Sequence, residues 1–263
     1  MTYCLAIKVN DGLVCLADGR ITAGTQATTA RKVEIVGTGD ARVLTMTSGL
    51  RSLRDKTLAY MKRDLKRGGS KQAFGTMLDA VQTYCNNLRR VFEEDSADLD
   101  RSNLKFNLHS IIAGKLPDDD EPTAFLVYPE GNWIEIDSRT PYLSIGETTY
   151  GKPILDRALS GKTDLKTATN LAYLSFDSTR ISAVDVGFPI DLITYSNADG
   201  KWREAQYDYD DVLEQRRWWN ENLTQLAMKM PDGPWGSTLI APSADSASGV
   251  APLSLVRDED VGR

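Results

Sequence analysis

Histidine is nearly missing from this chain: one, His109, in 263 residues. That rules out chemistry built on a histidine cluster. The three cysteines, Cys4, Cys15 and Cys85, have no metal-ligand spacing. Their small, odd number suits buried apolar side chains in a reducing compartment rather than a disulfide framework. No apolar run approaches the roughly 18 residues of a membrane span. A signal peptide is not expected either, because polar residues and a turn arrive by residue 10. Positive charge is in deficit, with 31 Lys and Arg against 37 Asp and Glu. A net charge of −6 argues against nucleic acid or an anionic membrane as partner. These absences lead to the expectation of a cytoplasmic protein.

What is present suits a globular domain. Hydrophobic residues make up 41% and charged residues 26%, and the length is enough for a substantial core. Residues 2–9 and 13–17 are apolar and β-branched, and Asn10-Asp11-Gly12 between them is a strong hairpin signal. Both faces of these strands carry apolar side chains, so their sheet is expected to be covered on both sides. Residues 20–31 read as a loop, followed by short strands at 32–36 and 43–47. Leu50, Leu53, Leu58, Met61 and Leu65 keep a helical period that Gly68-Gly69 ends. Ser70 is a plausible cap for a second helix carrying Phe74, Met77, Leu78, Val81, Tyr84, Cys85, Leu88 and Val91 on one stripe. Residues 93–103 are acidic and read as a loop.

Strands are then expected at 107–114, 123–128, 132–136 and 142–145, and helices at 152–159 and 165–179. Strands return at 182–187, 191–195 and 202–207, before a long helix over about 209–229. The Trp218-Trp219 pair on that helix reads as core packing, with a subunit contact as the alternative. His109 reads as a structural strand residue. From residue 231 the composition shifts to Pro, Gly, Ser, Ala and Asp. The expected organisation is one domain over residues 1–230 and a tail over residues 231–263. This order of elements fits two antiparallel sheets face to face with helix pairs outside, an α+β class, four-layer αββα sandwich.

Thr2 stands out chemically. Trimming Met1 would leave a hydroxyl and a free α-amino group on one residue, a nucleophile with its own base. An unperturbed α-amine has a pKa of roughly 7.7–8.0, so it is available as a base near neutral pH. Simple removal of Met1, without self-cleavage, is the expected maturation.

Thr2 opening a strand, Asp18-Gly19-Arg20 ending the return strand, Lys32 opening the next and Thr47-Ser48-Gly49 before a helix resemble the proteasome β-subunit. Met1-Thr2-Tyr3-Cys4-Leu5-Ala6-Ile7-Lys8 and Ser175-Phe176-Asp177-Ser178-Thr179-Arg180 are similar to its bacterial Anbu, or ancestral β-subunit, branch. The resemblance implies the N-terminal-nucleophile hydrolase fold and a threonine peptidase that needs no cofactor or metal. It also implies self-association into a ring-like or helical homo-oligomer acting on a peptide or peptide-like substrate. In its terms Thr2 is the nucleophile, Lys32 perturbs the amine, Asp18 holds Lys32, and Gly49 supplies the oxyanion donor. Two departures stand out. Glu147 occupies the place of a serine that supports the threonine amine. An Asp-x-x-Ser element is matched by Asp177 but has Arg180 three residues on, leaving Ser178 or Ser182 as substitutes. A carboxylate beside the amine would keep it protonated. An amidase acting on a small peptide-like metabolite and a non-catalytic assembly subunit therefore stand as alternatives. From sequence alone, Lys32→Ala is expected to cost little stability.

Overall fold

The computed structural model describes residues 2–23, 26–38, 41–67 and 74–239. Met1, Gly68, Gly69, Ser70 and the tail beyond residue 239 lie outside them. The chain divides into two units, residues 1–216 and 217–263.

The first unit is built on two five-stranded antiparallel sheets. One sheet contains β1 (Tyr3–Val9), β2 (Gly12–Asp18), β10 (Tyr142–Gly146), β11 (Ile190–Ser196) and β12 (Lys201–Tyr207), in the order β10-β1-β2-β11-β12. The other runs in chain order through β5 (Val33–Thr38), β6 (Ala41–Gly49), β7 (Leu108–Lys115), β8 (Thr123–Val127) and β9 (Trp133–Glu135). Helices α1 (Arg51–Arg67) and α2 (Met77–Arg101) follow β6, and α3 (Lys152–Ala158) and α4 (Leu165–Ser182) follow β10.

The alternation of side chains along β1 and β2 produces the layers. Tyr3, Leu5 and Ile7 of β1, with Val14 and Leu16 of β2, pack against Leu155, Ala172 and Phe176 of α3 and α4. Cys4 and Ala6, with Cys15 and Ala17, face the opposite way onto Leu44, Met46, Ile111 and Ala113 of the second sheet. The outer face of that sheet, with Val43, Ile112 and Phe125, is closed by Leu53, Met61, Tyr84 and Leu88 of α1 and α2. Three apolar interfaces separate four layers, the αββα sandwich expected from the order of elements. Each fully buried large apolar side chain contributes about 1.5–3 kcal/mol. Because β1 and β2 are buried on both faces, the strand that carries Thr2 is held rigidly from above and below.

Several local expectations change. Residues 20–31 are not a plain loop: β3 (Arg20–Ala23) pairs with β4 (Gln26–Thr29). The acidic stretch 93–103 is largely helical, because α2 continues to Arg101. Its charges are paired rather than loose: Arg90 bonds Glu94 one turn away, and Lys56 of α1 meets Glu94 and Asp95. Thr76 caps α2 in a reciprocal box with Asp79. No strand forms over residues 182–187; α4 runs to Ser182 and a turn leads into β11. His109 lies in β7 and its ring meets Asn107 and Tyr128.

A 3-10 turn at Asp210–Val212 leads into α5 (Leu213–Met228), and α6 (Pro234–Leu239) lies within the segment read as a tail. The expected core packing of the tryptophan pair is not found. No residue of α5 is buried, and Trp218 is 56% exposed. No helix of the described residues is long and apolar enough to cross a membrane.

Candidate active site

Asp18 closes β2 and is wholly buried. Its carboxylate gathers three groups from three segments. Oδ1 accepts the backbone N–H of Tyr3 at 2.8 Å and the ammonium of Lys32 at 2.6 Å. Oδ2 accepts the N–H of Gly187, from the turn between α4 and β11, at 3.3 Å. Burial pushes this carboxyl above its ordinary value, while Lys32 and the two backbone donors pull it back. Desolvation therefore outweighs the pairing, as is common for ion pairs taken out of water. The pair does more for position than for stability. It fixes a buried cation, Lys32 being only 5% exposed, and grips the chain at the residue next to Thr2.

The backbone of Thr2 is held from the other side. Its carbonyl accepts the N–H of Glu147 at 2.7 Å, and Gly146 pairs with Tyr3 in the β1–β10 ladder. Gly146 has φ +88, and a Cβ there would lie 1.8 Å from the Thr2 carbonyl oxygen. Only glycine lets β10 pass so close to the first strand. Tyr3 adds a third tether: its buried phenol bonds Ser175 of α4, which also donates to the Gly151 carbonyl. Thr2 itself is half-buried, at the mouth of this arrangement.

Gly49 ends β6 with φ +133, where a Cβ would lie 1.9 Å from the Asn107 carbonyl. Leu50 N–H donates to that same carbonyl, and Gly49 registers with Leu108. Alternation in an antiparallel ladder then directs the Gly49 N–H away from β7, toward the edge where Lys32 leads into β5. An N–H so directed is a ready donor for developing negative charge.

The structure thus brings together Asp18, Lys32 and the Thr2–Tyr3 backbone. The remaining expected residues lie differently. Glu147 meets Thr2 through its backbone, and its carboxylate accepts the N–H of Thr149 at 3.3 Å. Asp177 is buried in α4, bonded to Arg180 at 2.6 Å with Arg216 at 3.7 Å. Among the described residues no hydrogen bond ties Asp177 to Thr2, Asp18 or Lys32. Ser178 is half-buried on α4 and Ser182 is exposed at its end. Sequence reasoning missed Gly187 and Ser175. The Gly187-Phe188-Pro189 signature of a turn was the available clue to the first, and nothing local distinguished the second. Cys4 lies close to Asp18 and Lys32, and burial, with Asp18 adding to it, pushes its thiol up and leaves it inert.

A profile of the family described as "Proteasome subunit" matches residues 2–183. No curated protein matches the chain. Among solved structures it is similar to the helical assembly of the Anbu complex from Pseudomonas aeruginosa. That match has 31% identity, covers 88% of this chain and 98% of the other, and has a TM-score of 0.80. Anbu from Yersinia bercovieri matches with 28% identity, 89% and 100% coverage and a TM-score of 0.79. A Gly-1 mutant of Anbu from Hyphomicrobium sp. strain MC1 matches with 29% identity, 89% and 99% coverage and a TM-score of 0.78. With a family match over residues 2–183 and these likenesses along most of its length, the chain belongs to the proteasome subunit family, in its Anbu (ancestral β-subunit) branch.

Proposed function

We propose that the chain is an N-terminal-threonine hydrolase of amide bonds, active once Met1 is removed. The observation that carries this reading is the buried Lys32–Asp18 pair, joined through Asp18 to the N–H of the residue after Thr2. The Thr2 hydroxyl adds to the substrate carbonyl and its proton passes to the α-amine, directly or through water. The Lys32 ammonium disfavours protonation of that amine and stabilises the developing oxyanion, to which the Gly49 N–H also donates. The C–N bond then breaks, the leaving amine takes the proton, and water hydrolyses the Thr2 ester. Substrates of this reading are peptides or peptide-like amides in the cytoplasm. Thr2→Ala is expected to abolish hydrolysis of fluorogenic peptides by Met1-trimmed protein while leaving the melting temperature close to wild type. Equal turnover by Thr2→Ala would remove Thr2 from the mechanism.

Self-association belongs to the same reading. The Pseudomonas aeruginosa relative forms a helical assembly. Here Trp218, Leu223 and Leu226 project from α5 with at least half of their surface exposed, the kind of apolar surface that marks a subunit contact. Trp218→Asp is expected to shift the sedimentation profile to smaller species without loss of secondary structure. An unchanged profile would exclude Trp218 from the contact.

A further inference from the structure

Arg20 opens β3. It donates Nη1 to the Val184 carbonyl at 2.8 Å, and among the described residues no Asp or Glu pairs with it. It lines a cleft of about 380 Å³ together with Arg180, Ile181, Val184, Phe188 and Tyr209. That volume falls within the roughly 300–1,000 Å³ of small-ligand sites. Arg180 spends Nε and Nη2 on Asp177 and stacks 5.6 Å from the Phe188 ring. Phe188 and Tyr209 meet edge to face at 5.8 Å, forming an aromatic wall. The acids beside Tyr209 are turned onto their own backbone. Asp208 accepts the Tyr209 N–H, and Asp211 accepts the Asp208 N–H. Neither Thr2 nor Lys32 lines the cleft. Gly187 does, and its N–H reaches Asp18 from behind.

A guanidinium with unused donors beside an aromatic and branched apolar wall suits a carboxylate on an apolar body. We propose that this cleft is a second binding site, separate from Thr2, for an aromatic or branched apolar monocarboxylate. Two sources offer that group, a free acylated amino acid and the C-terminal residue of a peptide. The carboxylate meets Arg20, and the side chain lies against Phe188 and Tyr209. The binding itself does not require that Thr2 react.

Isothermal calorimetry tests this on assembled Thr2→Ala protein. The probes are N-acetylphenylalanine, its amide, and a pentapeptide ending in phenylalanine with a free or amidated terminus. Both acids are expected to bind, and each amide at least about 10-fold more weakly, as for loss of a charge-assisted pair. The tighter of the two acids identifies the source. Arg20→Gln is expected to weaken acid binding by about the same factor. Val184→Trp, at a rim residue 78% exposed, fills the cleft while keeping both arginines in the sequence and is expected to remove binding while the protein stays folded. The proposal is overturned if neither acid binds, or if acid and amide bind alike. It is equally overturned if a folded Arg20→Gln and Val184→Trp both bind normally. Competition between the acid and a covalent occupant of wild-type Thr2 would place the ligand in the active site instead, and would also overturn it.

Discussion

Lys32→Ala is expected to slow acylation at Thr2 by on the order of 100-fold or more, the usual cost of removing a group that stabilises transition-state charge. It is also expected to lower stability by about 3–5 kcal/mol, because it leaves a buried carboxylate without its cation. The second effect departs from the sequence expectation of little change, and the reason is burial: Asp18 is 0% and Lys32 5% exposed. The loss carries a pH signature. Folding already holds the Asp18 carboxyl above its ordinary value of 3.8, and without Lys32 it rises further. A carboxyl raised by folding is taken up protonated by the native state first, so its contribution to stability is present at low pH and lost as pH rises through the folded value. The melting-temperature gap between wild type and Lys32→Ala is therefore expected to be wide at about pH 8 and to narrow at about pH 5. A gap that does not change with pH would contradict the buried-pair account. Lys32→Arg is expected to regain part of the stability and none of the reactivity, since a planar guanidinium does not reproduce a compact ammonium.

Gly146→Ala is expected to be as damaging to reactivity through geometry alone. Its methyl group would meet the Thr2 carbonyl oxygen at 1.8 Å, in a conformation, φ +88, that alanine disfavours. Either β10 or the Thr2 backbone must move. A displacement of about 1 Å at a nucleophile costs on the order of 100-fold. The strain itself costs on the order of 1–3 kcal/mol. Glu147→Gln is the matched control. It keeps the backbone N–H on Thr2 and removes only a carboxylate that faces Thr149, so labelling close to wild type is expected. Labelling rates and thermal melts of both variants check this. A reactive Gly146→Ala would show that the backbone clamp does not position Thr2.

The four-layer architecture was legible because its physics is local. The Asn10-Asp11-Gly12 turn, the doubly apolar β1 and β2 and the helical stripes after Leu50 each carry their own signal. Departures arose where tertiary pairing overrides composition. The acidic run after Val91 looks like a loop, yet Lys56 and Arg90 neutralise it and α2 continues. Val184 and Val186 look like strand residues, but that segment turns to deliver Gly187 to Asp18. The Asp18–Lys32 pair was legible from the family pattern, and the contact is a short one across 14 positions. The neighbourhood of Thr2 was less so. The family resemblance pointed to Asp177, whose carboxylate is held by Arg180 and Arg216, and to Glu147 in the place of a serine side chain, where the backbone N–H makes the contact with Thr2. Motif spacing reports residue types, and it does not report which way a helix turns them.

The central claim is that Thr2 is the nucleophile. Its most direct test is intact-mass and peptide-mapping spectrometry of Met1-trimmed protein treated with a β-lactone. The account requires one adduct per chain, mapped to the peptide that begins at Thr2 and lost in Thr2→Ala. An unmodified Thr2 peptide in trimmed, folded protein, or an adduct that persists in Thr2→Ala, would contradict it.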